Sequence, residues 1–250
     1  MNYPGSKNGM GVYQTIINQI PPHRVKIEAF GGSAAISRFT RPAEVNLIIE
    51  LDPAVARSTA DAIGCEVLPG SVDINNCIDE AVKCIYPGSR QRTAVICGCA
   101  ISLLSNLKLK GDEFIYLDPP YLLESRSHKK ALIYEREFSD LQHLQLLKLL
   151  KRFRCPVMIS GYRSSLYEQV LEGWRVLTYQ AITRNGTQAT EYLWMNYPEP
   201  VELHDYRYLG RDKTERQRIK RKTERWQKKL QNMPLLERQA VLAAIQEMKR

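Results

Sequence analysis

Strand-like runs that alternate with helical patterns predict an α/β fold. The sheet should be mostly parallel, with helices on both faces and one antiparallel strand closing it. Three observations carry this reading. Short β-rich apolar runs recur between helical patterns from Val25 to Ser160. Each is stopped by a glycine, a proline or an acid. The last two runs flank Asn185-Gly186, a strong hairpin signal that turns the chain back on itself.

The elements follow in order. Val25 to Phe30 reads as a first strand running into Gly31-Gly32. Val45 to Glu50 reads as a second, and Asp52-Pro53 then supplies an N-cap and a first-turn proline for a helix to about Ile63. Cys65 to Leu68 is a third strand, stopped by Pro69-Gly70, and Ile74 to Tyr86 is helical in pattern. Phe114 to Asp118 is a fourth strand. A leucine-rich helix spans Phe138 to Arg152 with a Ser139/Asp140 start, and Pro156 to Ser160 is a fifth strand. Trp174 to Ile182 and Ala189 to Met195 form the hairpin. Residues 87–113 leave two readings open: an extra strand and helix beside the site, or plain core. The expected division is a domain at 1–202 and a basic helical hairpin at 203–250.

Composition narrows the class. The chain has 250 residues, 44% of them hydrophobic, enough for one large α/β domain with a small appendage. No apolar stretch is long enough to span a bilayer, and the start, Met1 to Lys7, has no apolar signal region, so a cytoplasmic location is expected. The six cysteines should be reduced thiols. Cys97-Gly98-Cys99 lacks zinc-pair spacing, so no metal is expected. Net charge is +9, and its placement matters more than its size. Arg207 to Gln231 holds eleven bases and three acids, which leaves about +1 for everything else. The polyanion signal therefore sits in the tail.

The most informative motif is Asp118-Pro119-Pro120-Tyr121. Two prolines stop the strand and stiffen the turn, holding an acid and an aromatic ring at a strand's C-terminal edge, where open α/β sheets bind ligands. Methyl transfer to an aromatic amino group needs such parts. The amine is a poor nucleophile because its lone pair is delocalised into the ring. The Asp118 carboxylate and the Pro119 carbonyl can accept its N–H bonds and stabilise the positive charge that develops on nitrogen. Tyr121 can stack on the base. Other strand ends offer partners: Glu28 to Ala34 after strand one, Glu50 after strand two for ribose hydroxyls, and Asp73 after strand three for an adenine amino group. Each acid alone is more often a helix cap or a surface charge.

Together these residues resemble the Dam-type adenine-specific (N6-adenine) DNA methyltransferases, most of all small phage and prophage members. The resemblance covers roughly residues 1–200. Tyr3-Pro4-Gly5-Ser6-Lys7 stands where the family has a Trp-Ala-Gly-Gly-Lys-like element. Glu28 to Ala34 looks like the Glu-Pro-Phe-x-Gly-x-Gly loop, with Ala29 for Pro and Ala34 for the last Gly. The second-strand acid falls on Glu50, and the catalytic motif on Asp118 to Tyr121. Similarity extends to Glu124-Ser125-Arg126-Ser127, Ile159-Ser160-Gly161-Tyr162 and Glu191-Tyr192-Leu193-Trp194. The resemblance implies a Rossmann-like fold with S-adenosylmethionine as donor and the N6 amino group of adenine as acceptor. Cofactor contacts would come from Tyr3, Lys7, Glu28, Phe30, Gly31, Gly32, Ser33, Ala34, Glu50, Asp73 and Asp118. The family places a large recognition region before the catalytic loop; here only residues 74–113 are available, so recognition is either weak or located elsewhere.

Double-stranded DNA is the expected partner. Arg126, Ser127 and His128 follow the catalytic turn as a closing loop; Arg126 and Arg184 are DNA candidates in the body, with Arg216, Arg218, Lys220, Arg221, Lys222 and Arg225 in the tail. Ile219, Trp226 and Leu230 recur at spacings of seven and four, giving one apolar helix face, and Asn232-Met233-Pro234 breaks the chain before a second helix. The tail reads as a phosphate-gripping hairpin or a partner-binding arm. Two other functions stay open: an RNA methyltransferase acting on an exocyclic amine, and a catalytically inactive DNA-binding protein. Whether a cognate restriction nuclease accompanies the chain, and its oligomeric state, are not legible.

Overall fold

The computed structural model describes residues 7–83, 91–122, 138–182 and 186–248. These divide into two compact units, Met1–Asp205 and Tyr206–Arg250. The first is built on an eight-stranded sheet. In chain order its strands are β1 (Val25–Ala29), β2 (Val45–Glu50), β3 (Glu66–Pro69), β4 (Arg92–Cys97), β5 (Glu113–Leu117), β6 (Val157–Gly161), β7 (Arg175–Ile182) and β8 (Gln188–Met195). Their order across the sheet is β3-β4-β2-β1-β5-β6-β8-β7. Between them run α1 (Val12–Ile17), α2 (Ala35–Phe39), α3 (Pro53–Ile63), α4 (Ile74–Lys83), α5 (Ala100–Ser105), α6 (Asp140–Leu150) and α7 (Ser165–Val170).

The predicted α/β architecture is present, and every strand read from the sequence forms. Two details differ. β8 is antiparallel to both of its neighbours, β6 and β7, so it lies inside the sheet and β7 forms the edge. The uncertain stretch holds an extra strand and helix: β4 inserts between β3 and β2, and α5 follows it. This insertion pushes β3 to the edge.

Sequence explains the central strands. β1 and β5 are buried along their whole length, as expected when helices cover both faces. Val25, Ile27 and Ala29 join Leu47, Ile49, Ile115 and Leu117 in the larger core, which takes in residues of α4, α5, α6 and α7. Ile48 and Val95 point to the other face, where they pack with Ala56 and Ala60 of α3. Capping places the helices. Asp52 accepts from the Ala54 and Val55 amides at the start of α3, and Ser139 forms a capping box with Gln142 at the start of α6.

The alternation of β1 also buries Lys26 and Glu28 on the face opposite Ile27. The Lys26 ammonium is fully buried and has no hydrogen-bond partner among the described residues. Burial pulls its pKa down to about 8, against the attraction of Glu28 and Asp205. Burial also pushes the Glu28 carboxyl up.

The sign of the linkage gives a prediction. Between about 8 and the ordinary lysine value near 10.4, the unfolded chain binds the proton that the folded chain has lost, so stability rises with pH there. Lys26→Met should stabilise the protein near neutral pH by on the order of 1–3 kcal/mol, and the gain should shrink towards about pH 10. Urea unfolding of both proteins at the two pH values measures this. A gain that does not change with pH would show that the ammonium is not the cause.

Candidate active site

Two loops meet because β1 pairs in parallel with β5. Ala29 lies opposite Leu117, and the Asp118 amide donates to the Ala29 carbonyl at 3.3 Å. The turn after β1 and the Asp118–Tyr121 turn after β5 therefore leave the sheet side by side. The chain diverges to either side at this pair, which makes it the topological switch point of the sheet.

The first loop runs through Phe30, Gly31, Gly32, Ser33 and Ala34. Three of its residues are left-handed: Phe30 with φ 59°, Gly32 with φ 49° and Ala34 with φ 49°. Ala34 occupies the position where the family pattern has glycine, and it takes the backbone a glycine would adopt freely. For alanine that conformation costs roughly 1–2 kcal/mol. Gly31 is required for another reason: a Cβ there would lie 2.4 Å from Cγ2 of Ile48.

Glu50 shapes this loop. It is buried at the end of β2, where Oε2 accepts from the Gly32 amide at 2.8 Å and Oε1 from the Asp52 amide at 3.0 Å. Thr59 Oγ1 donates to the Gly32 carbonyl at 2.6 Å from α3. A carboxylate offers about four lone-pair sites, so Glu50 can still accept ribose hydroxyls. Glu28, by contrast, turns into the protein and accepts from the Ser37 amide at 2.6 Å, anchoring α2. Phe30 meets Phe138 edge-on at 5.2 Å.

Asp73 stands apart. The insertion of β4 separates β3 from β2, so the ends of strands one, two and three are not neighbours. Asp73 Oδ1 accepts from the Asn75 amide and side chain, both at 2.9 Å, at the exposed start of α4. Those bonds hold its carboxyl below the usual range. The strand end beside Glu50 is that of β4, where the Gly98 amide donates to the Glu50 carbonyl at 2.9 Å.

The second loop carries a compact charged cluster. Lys7 Nζ donates to Asp118 Oδ1 at 2.8 Å and Oδ2 at 2.7 Å, and to Tyr121 Oη at 2.8 Å. Tyr121 Oη donates to Glu191 Oε2 at 2.8 Å and lies 3.2 Å from Asp118 Oδ1. Tyr179 Oη donates to the same Glu191 oxygen at 2.6 Å, and Lys7 Nζ lies 3.4 Å from it. The Lys7 and Glu191 side chains are 4% and 8% exposed, whereas that of Asp118 is 20% exposed, so Asp118 is the member of this cluster most open to a substrate. Burial pushes its carboxyl up, opposed by Lys7 and reinforced by Glu191. The Tyr121 ring is 7% exposed and meets Tyr162 edge-on at 4.6 Å. A base stacks on it only when the groups now packed against the ring move aside.

The remaining expected residues fall as follows. Tyr3, Arg126, Ser127, His128 and Arg184 lie outside the described residues. Lys7, expected to touch the cofactor, is bonded to the Asp118–Tyr121 turn instead. Among the described residues there is no metal-binding cluster. Two members of the site were not assigned to it from the sequence: Glu191, quoted only within the Glu191 to Trp194 similarity, and Tyr179. The available signal was one acid inside the apolar run Ala189 to Met195.

The second unit contains α8 (Lys213–Gln231) and α9 (Leu235–Glu247), separated by Asn232, Met233 and Pro234. Neither helix buries a residue. At about 100° per residue, Arg218, Arg221, Lys222, Arg225, Lys228 and Lys229 share one arc of α8, with Ile219, Trp226 and Leu230 on the adjoining face, where Lys229 Nζ lies 5.2 Å from the Trp226 ring centroid. Arg216 and Lys220 lie off that arc; Arg216 instead donates to the Gly210 carbonyl at 3.4 Å.

Comparison with known proteins bears on this geometry. Residues 92–187, which include the Asp118–Tyr121 turn, match the family model of the D12 class N6 adenine-specific DNA methyltransferases. The match spans less than half of the chain. It supports methyl transfer with S-adenosylmethionine as the donor. No curated protein matches the sequence. Solved structures are similar to the chain only at low identity. The SMU.1697c protein of Streptococcus mutans in complex with SAH is 10% identical, with a TM-score of 0.44, over 76% of this chain and 98% of that one. An rRNA methylase from Streptococcus thermophilus is 12% identical, with a TM-score of 0.43, over 74% and 93%. The 23S rRNA methyltransferase ErmE is 9% identical, with a TM-score of 0.44, over 81% and 72%. At these scores none of the three bears on the acceptor.

Glu50 yields a prediction for cofactor binding. Glu50→Ala should weaken S-adenosylmethionine binding by about 1.5–3 kcal/mol, the scale of hydrogen bonds to a charged group. Calorimetry on the folded variant tests it, with circular dichroism to confirm folding. Unchanged affinity would leave Glu50 as a brace for Gly32 and Asp52 alone.

Proposed function

We propose that the enzyme methylates the N6 amino group of adenine in double-stranded DNA, with the target base flipped out of the helix. The observation that carries this is the partly open Asp118 carboxylate, set in a buried charged cluster at the switch point of the sheet. S-adenosylmethionine, when bound, supplies a methyl group on a sulfonium sulfur. The chain's own residues do the rest. Asp118 accepts an N–H bond from the incoming amine, and the Pro119 carbonyl accepts the other. Both localise the nitrogen lone pair and stabilise the charge that develops there. Asp118 Oδ1 already takes Lys7 and has the Tyr121 hydroxyl 3.2 Å away, whereas among the described residues Oδ2 takes Lys7 alone, so the amine approaches Oδ2. Tyr121 stacks on the flipped base. Extrusion is needed because the amine of a stacked base cannot be reached in line.

The family's description favours adenine in DNA, and the six-base arc of α8 supports a polyanion as the partner. An exocyclic amine in RNA is the second reading, because the same turn suits either base. Methyl incorporation into duplex DNA and into rRNA, side by side, decides between them; transfer to rRNA alone would overturn the DNA reading.

Two further outcomes are expected. Asp118→Ala should lower methyl transfer by about 10²–10³. The wild-type rate should fall as pH drops through the raised Asp118 value, because only the carboxylate accepts the amine. Radiolabelled transfer, with cofactor binding measured alongside, is the test, and near-normal turnover would remove Asp118 from the mechanism.

Deleting residues 207–250 should leave cofactor binding intact and weaken DNA binding. Each phosphate that the truncated protein no longer neutralises should flatten the log–log salt slope by about 0.9 on duplex DNA. Cutting the charge of the six-base arc with Arg218→Glu and Arg221→Glu should reproduce much of the loss. Identical slopes for full-length and truncated proteins would show that the tail does not hold DNA and would favour a partner-binding arm.

A further inference from the structure

Glu191 is a buried acid to which neither amine acceptance nor cofactor binding gives a role. It projects from β8, two strands away from β5, yet its Oε2 gathers the Tyr121 hydroxyl at 2.8 Å, the Tyr179 hydroxyl at 2.6 Å and the Lys7 ammonium at 3.4 Å. Two carboxylates thus share one ammonium. Lys7 sits closer to Asp118, at 2.7 Å, and neutralises the group that must accept the amine. A carboxylate paired to an ammonium is a weak acceptor. Methylation also places a positive charge on nitrogen, which a neighbouring free ammonium would oppose.

We propose that Glu191 is a positioning residue for methyl transfer: it fixes the Tyr121 ring by its hydroxyl and takes the Lys7 ammonium from Asp118 as the acceptor amine arrives. The proposal rests on the reading of Asp118 as the amine acceptor. The geometry favours the transfer because Lys7 is already within ion-pair distance of both acids. Tyr121 donates to Glu191, so a shift of Lys7 leaves the ring held in place. The charge is conserved: before and after the shift, the cluster holds two carboxylates and one ammonium. After methyl transfer the methylated ammonium nitrogen gives one proton to Asp118, and the product leaves as a neutral secondary amine.

The alternative is that Glu191 only satisfies two buried phenols. Glu191→Gln separates the two, because it keeps the size of the side chain and an oxygen that accepts from Tyr121 and Tyr179, and removes only the charge. The groups that face Asp118 are Lys7 before α1, Glu28 on β1, Tyr116 on β5, Tyr121 in the turn, Tyr167 on α7, Tyr179 on β7 and Glu191 on β8. Of these, the variant alters Glu191 alone.

We expect single-turnover methyl transfer in Glu191→Gln, on the acceptor that the wild type methylates best, to fall by about 10–10²-fold with cofactor affinity unchanged. The acid limb of the rate profile should move to lower pH, because a negative neighbour has been removed from Asp118. The same shift should appear without any substrate, in the carbon-13 carboxyl titration of Asp118. A wild-type rate, or an Asp118 titration that does not move, overturns the proposal.

Should Glu191→Gln fail to fold, Lys7→Met provides the second test. With the ammonium gone, the Asp118 carboxyl should titrate higher than in the wild type, because the Glu191 charge then faces it unopposed. An Asp118 titration that stays at its wild-type position overturns the proposal. A wild type that leaves duplex DNA unmethylated would defeat the DNA reading, and the titrations would still decide the role of Glu191.

Discussion

The parallel pairing of β1 with β5 is the constraint on which the rest of the site depends. It sets Ala29 beside Leu117, so the left-handed loop after one strand and the proline-stiffened turn after the other emerge together. Neither loop could make a site alone. The first has backbone curvature and a carboxylate brace at Glu50. The second has an acid whose neighbours come from the N-terminal segment, β8 and β7. Full burial of both strands makes their register costly to shift, because a one-residue slip would turn Val25, Ile27 and Ala29 out of the larger core.

Charge is distributed by the same economy. The body is nearly neutral in sum but carries concentrated buried charge: Lys26 and Glu28 on one strand, and Lys7, Asp118 and Glu191 around the catalytic turn. A buried cluster of this kind is weak evidence for stability, since desolvation can exceed the attraction gained. Its retention is easier to understand through chemistry. Under the proposed reaction, the site must stabilise a transient positive charge on nitrogen, which needs negative charge that water does not screen. The tail shows the opposite pattern, with its bases solvated on exposed helix.

Much of this was legible in the sequence. Apolar β-rich runs with clear stops marked the strands, and Asn185-Gly186 marked the hairpin. Asp118 to Tyr121 identified itself, because two prolines after a strand have few other uses. Residues 92–105 were ambiguous because an apolar run with small residues fits a strand, a helix or core equally well, and only pairing with β2 and β3 resolves it. That ambiguity spread to Asp73, whose place beside the site assumed that β3 adjoins β2. Glu191 was hidden for another reason: its partners lie 12, 70 and 184 positions away in Tyr179, Tyr121 and Lys7, and no local pattern records such contacts.

Ala34 has a wider consequence. A glycine there would let the loop find its left-handed curve by itself; an alanine does not, so the curve must be imposed by its surroundings. The imposing groups are Glu50 from β2, Thr59 from α3 and the wedge of Gly31 against Ile48. The loop is thus a gauge of how well β2 and α3 are assembled. Slackening in that half of the sheet would be read out first in the curvature of this loop.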